Sequence, residues 1–538
     1  MAKPHDDGTL QRVLIADEWR AARNPEGDFR ASNPATGALI GPRFPISGAD
    51  DIEAAVAAAT IASVALSAID PEKIASFLEC YADGIEAAAE QLVAIAHQET
   101  ALPAPTRLAG NELPRTTSQL RQAAVAVRTR AWTNPVIDTK GGLRSHLASL
   151  GKPVLVFGPN NFPYAFNAIA GSDFASAIAA RNAVIAKAHP SHPATSQLLA
   201  QIAHRAARDA GLPPASVQLL YDVPPKLGAK LCADRRLGAI GFTGSRKAGL
   251  ALKAAADSAG IAMYAEMSSV NPVFLLCGAL RERGAELATE VFGSCMLGSG
   301  QFCTNAGLLI VPHGNASDAF VAALSQQFTA ASAATVFSGG VQRDAESNLA
   351  VLRKAGAKVI ASASASAGEG FRVAPTLLGI EASDFIDDSE RLQTEVFGPV
   401  NLIIRADDLD EMIGIARALD GNLTGSIFTA RDGSDDANWQ AIASVLRNKV
   451  GRLIENRMPT GVAVSSAMQH GGPFPASSHS GFTSVGMPAS IRRFAALQSY
   501  DQVSDARLPE ELRDANPLGI QRCVEGEWTR DAVVRAPA

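Results

Sequence analysis

From residue 153 onward the chain alternates short, uninterrupted apolar runs with longer amphipathic stretches. Val154–Phe157, Ala183–Ala186, Val217–Tyr221, Leu237–Phe242 and Ile261–Glu266 are too short and too uniformly apolar for surface helices. Each but the last leads through a turn-rich loop into a helical stretch. This rhythm predicts parallel strands joined by crossover helices, an α/β fold whose sheet is covered on both faces. Loops at the C-terminal ends of such strands line a ligand crevice, so the chemistry is sought there.

The flanking regions follow other patterns. The chain up to about Pro45 reads as an extended lead-in, with Asn33-Pro34-Ala35-Thr36-Gly37 as a turn. Asp50 and Asp51 can cap an Ala-rich helix from Ile52, and Asp70-Pro71 supplies cap and first position for a second, whose Ile74, Phe77, Leu78 and Tyr81 share one face. A third helix is expected from Pro114 to Ala131, carrying Arg115 and Arg121. Beyond Asn271-Pro272 a second α/β region begins, with a strand at Leu308–Val311, a surface loop over Ala361–Gly370 and a further αβ pattern from Leu402 to about Ala430. The part after His470 reads as loops followed by a charged tail packed on the body or a partner.

Composition narrows the class. At 538 residues the chain exceeds what one hydrophobic core serves, so two or three domains are expected. A 47% hydrophobic and 19% charged content is that of an ordinary globular protein. With 48 basic and 54 acidic residues the net charge is −6, and there is no clustered cationic footprint for nucleic acid or anionic lipid. Six cysteines without C-x-x-C pairs fit a reducing compartment, and no apolar leader or bilayer-length run is present, so a cytoplasmic location is expected. No metal site is expected either. The nine histidines, His189 and His192 among them, show no H-E-x-x-H or Cys/His cluster and read as solvent-facing or capping residues.

Candidate chemistry falls on the loops. Gly298-Ser299-Gly300-Gln301-Phe302-Cys303-Thr304-Asn305-Ala306-Gly307 sets one cysteine among small and polar residues, giving a strong nucleophile with room and N–H donors beside it; the alternative is a small buried hydrophobe. Asn161 follows the first strand in Gly158-Pro159-Asn160-Asn161-Phe162-Pro163, either a turn former or an amide aimed at an oxyanion. Lys187 follows the second strand, either meeting a ribose or phosphate or snorkelling to solvent. Phe242-Thr243-Gly244-Ser245-Arg246-Lys247-Ala248-Gly249 ends a strand and opens a helix, so its N–H groups can face a pyrophosphate, without the full G-x-G-x-x-G spacing. Glu266 ends the last strand, where a semi-buried carboxylate suits a general base, or else it is a solvated loop residue. Glu395-Val396-Phe397-Gly398-Pro399 pairs an acid with an aromatic, as ribose and ring contacts or as core.

Taken together, these motifs resemble the aldehyde dehydrogenase superfamily from Asn33-Pro34 to about Gly472. The resemblance implies Cys303 as nucleophile, Asn161 with the Cys303 N–H as oxyanion donors, and Glu266 as the base that activates water, the only base evident near the thiol. It implies Lys187, Gly244, Ser245, Glu395 and Phe397 at a nicotinamide cofactor. Gly300 and Gly307 are read as making room for substrate and strand. NAD-preferring members often carry Glu three residues after the lysine; here Pro190 stands there, so NADP is expected to be preferred over NAD.

Glu99-Thr100-Ala101-Leu102-Pro103, Arg115-Thr116-Thr117-Ser118-Gln119-Leu120-Arg121 and His470-Gly471-Gly472-Pro473-Phe474-Pro475 are similar to α-ketoglutaric semialdehyde (2,5-dioxopentanoate) dehydrogenases, with NADP-dependent fatty aldehyde dehydrogenases as relatives. Arg115 and Phe166 are then the substrate-binding candidates, Arg115 pairing with the carboxylate of an oxo-acid aldehyde. Two departures stand out: Ser268 where glycine is usual, and no arginine within Ser477–Phe482. The alternatives are a neutral or fatty aldehyde dehydrogenase and a non-catalytic protein on the same fold, which would have lost Cys303 or Glu266. The implied layout is a cofactor-binding domain (1–126 and 148–267), a catalytic domain (268–470) and bridging segments (127–147 and 488–538), in a homodimer or homotetramer.

Overall fold

The computed structural model describes residues 10–364 and 368–534. Its five central strands form where the apolar runs predict them, at Val154–Phe157, Val184–Lys187, Val217–Leu220, Ala239–Thr243 and Ala262–Glu266, all paired in parallel. The chain steps outward from Val154–Phe157 through the next two strands, then returns to pair Ala239–Thr243 on the opposite side. Winding therefore reverses between Val154–Phe157 and Ala239–Thr243, and at such a reversal the crossovers diverge and open a crevice at the C-terminal strand ends. Lys187 is the last strand residue rather than the first beyond it.

The lead-in is more ordered than expected. Val13–Ile15 and Glu18–Arg20 form a hairpin that extends the sheet antiparallel to Val217–Leu220, and Gly27–Ser32 pairs with Leu39–Ile46 across the expected turn. Gly37 closes that turn at φ +73°. Residues 1–9 of the expected lead-in, and 365–367 of the expected loop, lie outside the described residues; Lys358–Ser362 before them is a strand.

Asp70 caps its helix by accepting from the Glu72 N–H at 2.9 Å, as expected. Asp51 does not cap. The helix starts at Ala49 behind Gly48, and the buried Asp51 carboxylate is held by Arg20 at 2.8 Å instead. The third helix spans Leu113–Thr129, ending where Arg130 turns left-handed at φ 53°, and is preceded by a π-helical turn at Ala104–Glu112 that no periodicity announced.

A second seven-stranded sheet takes Val273–Leu275, Leu308–Pro312, Lys358–Ser362, Thr376–Glu381, Val400–Ala406, Asn422–Phe428 and Val450–Glu455. Alternate residues feed separate cores on its two faces: Phe274, Ile310, Leu402 and Ile404 on one, Val273, Leu309, Ile403 and Phe428 on the other. A third sheet joins Val136–Asp138 and Leu143–Ser149 to Ala495–Asp501, Arg522–Val524 and Glu527–Thr529, so the charged tail contributes strands rather than only covering the body. Among the described residues no single helix is long and apolar enough to cross a membrane.

Candidate active site

Cys303 is placed by a left-handed turn. After the helix Cys277–Met296, Gly298, Ser299 and Gly300 all adopt positive φ (57°, 59° and 73°), reversing the chain. Gly300 does not clear space for substrate: a Cβ there would stand 2.1 Å from the Gly398 carbonyl, so it lets the turn meet the loop of Glu395 and Phe397. Gly307 likewise lies against Val270, whose carbonyl takes its N–H at 2.8 Å. Asn271 fastens the turn from below, its Nδ2 donating to the carbonyls of Cys303 at 2.9 Å and Asn305 at 2.8 Å. Asn161 arrives from the first sheet and donates Nδ2 to the Gln301 carbonyl at 2.9 Å. One Nδ2 proton is left over, and among the described residues the Cys303 N–H has no hydrogen-bond acceptor. Two donors thus stand free beside the thiol.

The base is arranged differently from the expectation. Glu266 ends its strand buried, as predicted, but does not face Cys303 alone: His470 stands between them. Its Nε2 lies 3.6 Å from Cys303 Sγ and its Nδ1 2.8 Å from Glu266 Oε1. The Ser484 hydroxyl donates to the same carboxylate oxygen, and the Ser484 N–H to the His470 carbonyl at 2.9 Å. His470 is therefore neither solvent-facing nor a cap; it is 2% exposed. Burial alone would lower its pKa, but the negative charges of Glu266 and Cys303 and its hydrogen bonds to both carry it up to about 9. At neutral pH it is an imidazolium. The sequence signal for this role was slight, a histidine opening Gly471-Gly472 in a stretch valued only for resemblance.

A cleft of about 690 Å³ opens from Cys303 between the two large sheets. Asn161, Gly244, Ser245, Glu266, Glu395 and Phe397 line it together. Ser245 caps the helix Arg246–Ser258, accepting from the Ala248 N–H at 3.3 Å. Glu395 is half-buried, and desolvation raises its carboxyl pKa while a hydrogen bond from Ser268 opposes the rise. Ser268 also accepts the Arg246 N–H at 3.3 Å, so the residue in place of glycine links this helix to Glu395. Lys187 is not brought in. It lies farther along the sheet edge with its ammonium on Asp222 at 2.8 Å.

On the other side of Cys303 an apolar box is formed by Phe162, Phe166 and Val485, with Phe302, Val462, Val464 and Met468 against it. The Phe166 ring lies 5.3 Å from the His470 ring, tilted by 42°. Two guanidiniums face this box. Arg107 lies 4.3 Å from the Phe162 centroid and is neutralised by the buried Glu112 at 3.2 Å. Arg115 lies 5.1 Å from the Phe166 centroid, and its Nε and one terminal nitrogen are buried without a hydrogen-bond partner among the described residues. Burial lowers its pKa to about 10, against the opposing charges of Glu112, Cys303 and Glu266. The Arg107–Glu112 pair went unread because it hangs on the unannounced π-helical turn.

A thiol backed by a buried imidazolium and carboxylate, with two free N–H donors beside it, suits nucleophilic attack on a carbonyl carbon. Comparison with known proteins points the same way. The chain is 38% identical over 533 residues to alpha-ketoglutaric semialdehyde dehydrogenase 2 of Azospirillum brasilense, covering 96% of this chain and 98% of that protein. It is 37% identical over 494 residues to alpha-ketoglutaric semialdehyde dehydrogenase of Acinetobacter baylyi, covering 90% and 92%. In fold it is similar to aldehyde dehydrogenase C from Pseudomonas syringae, solved with NAD+ and octanal (TM-score 0.77, 21% identity, 94% and 99% covered), and to PnpE, solved with nicotinamide adenine dinucleotide (TM-score 0.77, 21% identity, 91% and 97% covered). The profile of the aldehyde dehydrogenase family matches residues 19–499, and the chain belongs to that family.

Proposed function

We propose that the protein oxidises α-ketoglutaric semialdehyde to 2-oxoglutarate with a nicotinamide dinucleotide, NADP in preference to NAD. The observation that carries the substrate is Arg115, a cation with buried, unpartnered nitrogens beside an aromatic box that opens on Cys303. A guanidinium so placed lacks the planar anion its fork fits, and a carboxylate at the far end of an oxo-acid supplies it. The two named relatives act on the same aldehyde. The apolar box favours a second reading, a neutral aldehyde dehydrogenase.

The residues fit the cofactor: the N–H of Ser245 at the helix start for the diphosphate, with Gly244 beside it giving its own N–H to the Glu266 carbonyl at 3.1 Å, the half-buried Glu395 carboxylate for ribose hydroxyls, and Phe397 for a flat ring. Bound there, the oxidised nicotinamide accepts the hydride. Proline at position 190 supplies no carboxylate against a 2′-phosphate; the carboxylate that does stand by Lys187 is Asp222, at 2.8 Å, and Lys187 exchanges it for that phosphate.

The remaining steps belong to the chain. His470 holds the proton of Cys303, and the thiolate adds to the aldehyde carbon. The spare Asn161 proton and the Cys303 N–H bind the oxyanion, each such donor contributing about 3 kcal/mol in the transition state. Acylation, with the hydride gone to the cofactor, removes the charge on sulfur that helps hold the His470 proton, so the ring releases that proton to solvent. With Glu266 behind it, it then takes a proton from the water that opens the thioester. We also read 1–126 and 148–267 as the cofactor-binding domain, 268–470 as catalytic, and 127–147 with 488–538 as the bridge of a homodimer or homotetramer.

Initial rates with α-ketoglutaric semialdehyde, succinic semialdehyde and a long-chain aldehyde, each with NADP and NAD, test the reading. Arg115→Ala is expected to raise KM about 10- to 100-fold for the acidic aldehydes and little for the neutral one, as loss of a charged hydrogen bond implies. Equal effects would leave the neutral-aldehyde reading, and a higher kcat/KM with NAD would overturn the cofactor preference.

A further inference from the structure

Among the described residues, the cleft that opens from Cys303 is lined by four carboxylates, Glu266, Asp344, Glu390 and Glu395, and by only two cations, Arg246 and Lys247. A dinucleotide brings a doubly charged diphosphate into this acidic surrounding. The helix N-terminus at Arg246–Ser258 offers partial charge, worth about 1 kcal/mol, which does not offset several nearby carboxylates. A full positive charge has to be supplied. Lys247 is exposed to solvent, whereas Arg246, the first helical residue, is partly buried and carries its charge close enough to act on the Glu395 carboxyl.

The Arg246 side chain is not settled. Among the described residues its Nε is buried without a hydrogen-bond partner, and its nearest carboxylate, Asp420, stands 3.6 Å away, beyond hydrogen-bond length. Asp420 is held on both sides: its N–H donates to Gln393 Oε1 at 2.7 Å, and its carbonyl accepts from Asn422 Nδ2 at 3.0 Å. Arg246 belongs to a helix of the first sheet and Asp420 to the approach of a strand of the second. The contact therefore joins the two walls beside the cleft, a loose ion pair from which a dinucleotide has to draw Arg246 away.

We propose that Arg246 is a cofactor-affinity residue that exchanges Asp420 for the diphosphate, so that Asp420 competes with the cofactor for the same cation. The proposal rests on the nicotinamide cofactor assigned above. It distinguishes itself from simple charge attraction by sign: removing Arg246 and removing the charge of Asp420 have opposite effects on binding.

Isothermal titration of the full chain with NADP+ and with NAD+, without aldehyde so that nothing turns over, reads this directly. Arg246→Gln is expected to weaken both cofactors about 10- to 100-fold, the worth of a charged hydrogen bond. Asp420→Asn is expected to tighten both by about 3- to 10-fold, and the double variant to match Arg246→Gln. Arg246→Lys, which keeps the charge and loses the fork, should fall between the wild type and Arg246→Gln, and thermal melts of each variant report whether it is folded. Unchanged or weaker binding in folded Asp420→Asn overturns the exchange. A loss confined to NADP+ in Arg246→Gln overturns it too, since the contact would then be to the 2′-phosphate. Failure of the unaltered chain to bind either dinucleotide would overturn the cofactor reading itself.

Discussion

Cys303 gains its setting from residues remote in the chain. His470 meets it from 167 residues away and Glu266 meets His470 across 204. An isolated histidine in a Gly-Gly-Pro stretch carries no periodicity and no ligand spacing, so nothing local distinguishes a buried imidazolium from a surface ring. Glu266 was legible because a carboxylate ending an apolar strand is anomalous by itself. Asn161 was legible because its loop sits at a strand end. For His470 the physical consequence is directional. Its folded-state pKa, about 9, lies above the ordinary histidine value near 6.5. The stabilisation from its charge is therefore fully present below pH 6.5 and lost as pH rises through about 9. Thermal melts of wild type and His470→Asn should show a wild-type advantage, at most roughly 3 kcal/mol, that shrinks across this window. Alkylation of Cys303 by iodoacetamide at pH 7 should also slow about tenfold in the variant, because the thiolate loses its counter-charge. A variant that alkylates as fast as wild type would remove His470 from the activation step.

At the scale of elements, the period of the apolar positions was informative where packing is repetitive and silent where it is not. The five parallel strands appear within a residue or two of their apolar runs because a strand buried on both faces has to be continuously apolar. The π-helical turn Ala104–Glu112 escaped because its register is set by tertiary contacts, including Glu112 accepting the N–H groups of Tyr164 and Ala165 at 2.8 and 3.1 Å. The turn before Cys303 was read as permissive, and it is, but for a backbone neighbour rather than for substrate. Gly300→Ala would put a methyl into the Gly398 carbonyl at a φ of +73°, so it should cost more than 1 kcal/mol and weaken both cofactor binding and turnover. Gly293 is the control. It lies inside the helix Cys277–Met296 with open space around its would-be Cβ, so Gly293→Ala should stabilise by about 0.5–1 kcal/mol and leave activity unchanged. Equal melting shifts for the two would mean that the close approach at Gly300 carries no energy.

At the scale of the whole molecule, two sheets built from local βα units are tied by a third whose strands come from distant parts of the chain. Arg522–Val524 pairs in parallel with Val136–Asp138, and Ala495–Asp501 pairs antiparallel with Leu143–Ser149. Charge secures this sheet from within. Arg522 is fully buried and donates to backbone carbonyls of Arg513, Asp514 and Asp531. Arg144 is held by Asp514 at 2.5 Å, and Arg130 by Glu511 at 3.0 Å. Pairing of this kind leaves no local signature, since a charged tail and a charged strand on a distant sheet read alike in sequence. Ending the chain after Ser504 would remove the carboxylate partners of Arg144 and Arg130 together with the strand beside Val136–Asp138. Two buried guanidiniums would be left uncompensated, at several kcal/mol each when one partner of a buried pair is lost. An unpaired strand edge would be exposed next to Val136 and Leu143, both already solvent-facing. Such an edge is a template for another chain, so the truncated protein should melt several degrees lower and elute as larger, heterogeneous species in size-exclusion chromatography with light scattering. The cleft residues lie elsewhere in the fold, so cofactor affinity of the truncated chain that stays soluble should match the full chain. A truncated form with unchanged melting temperature and unchanged mass would show that the sheet is held without its C-terminal strands.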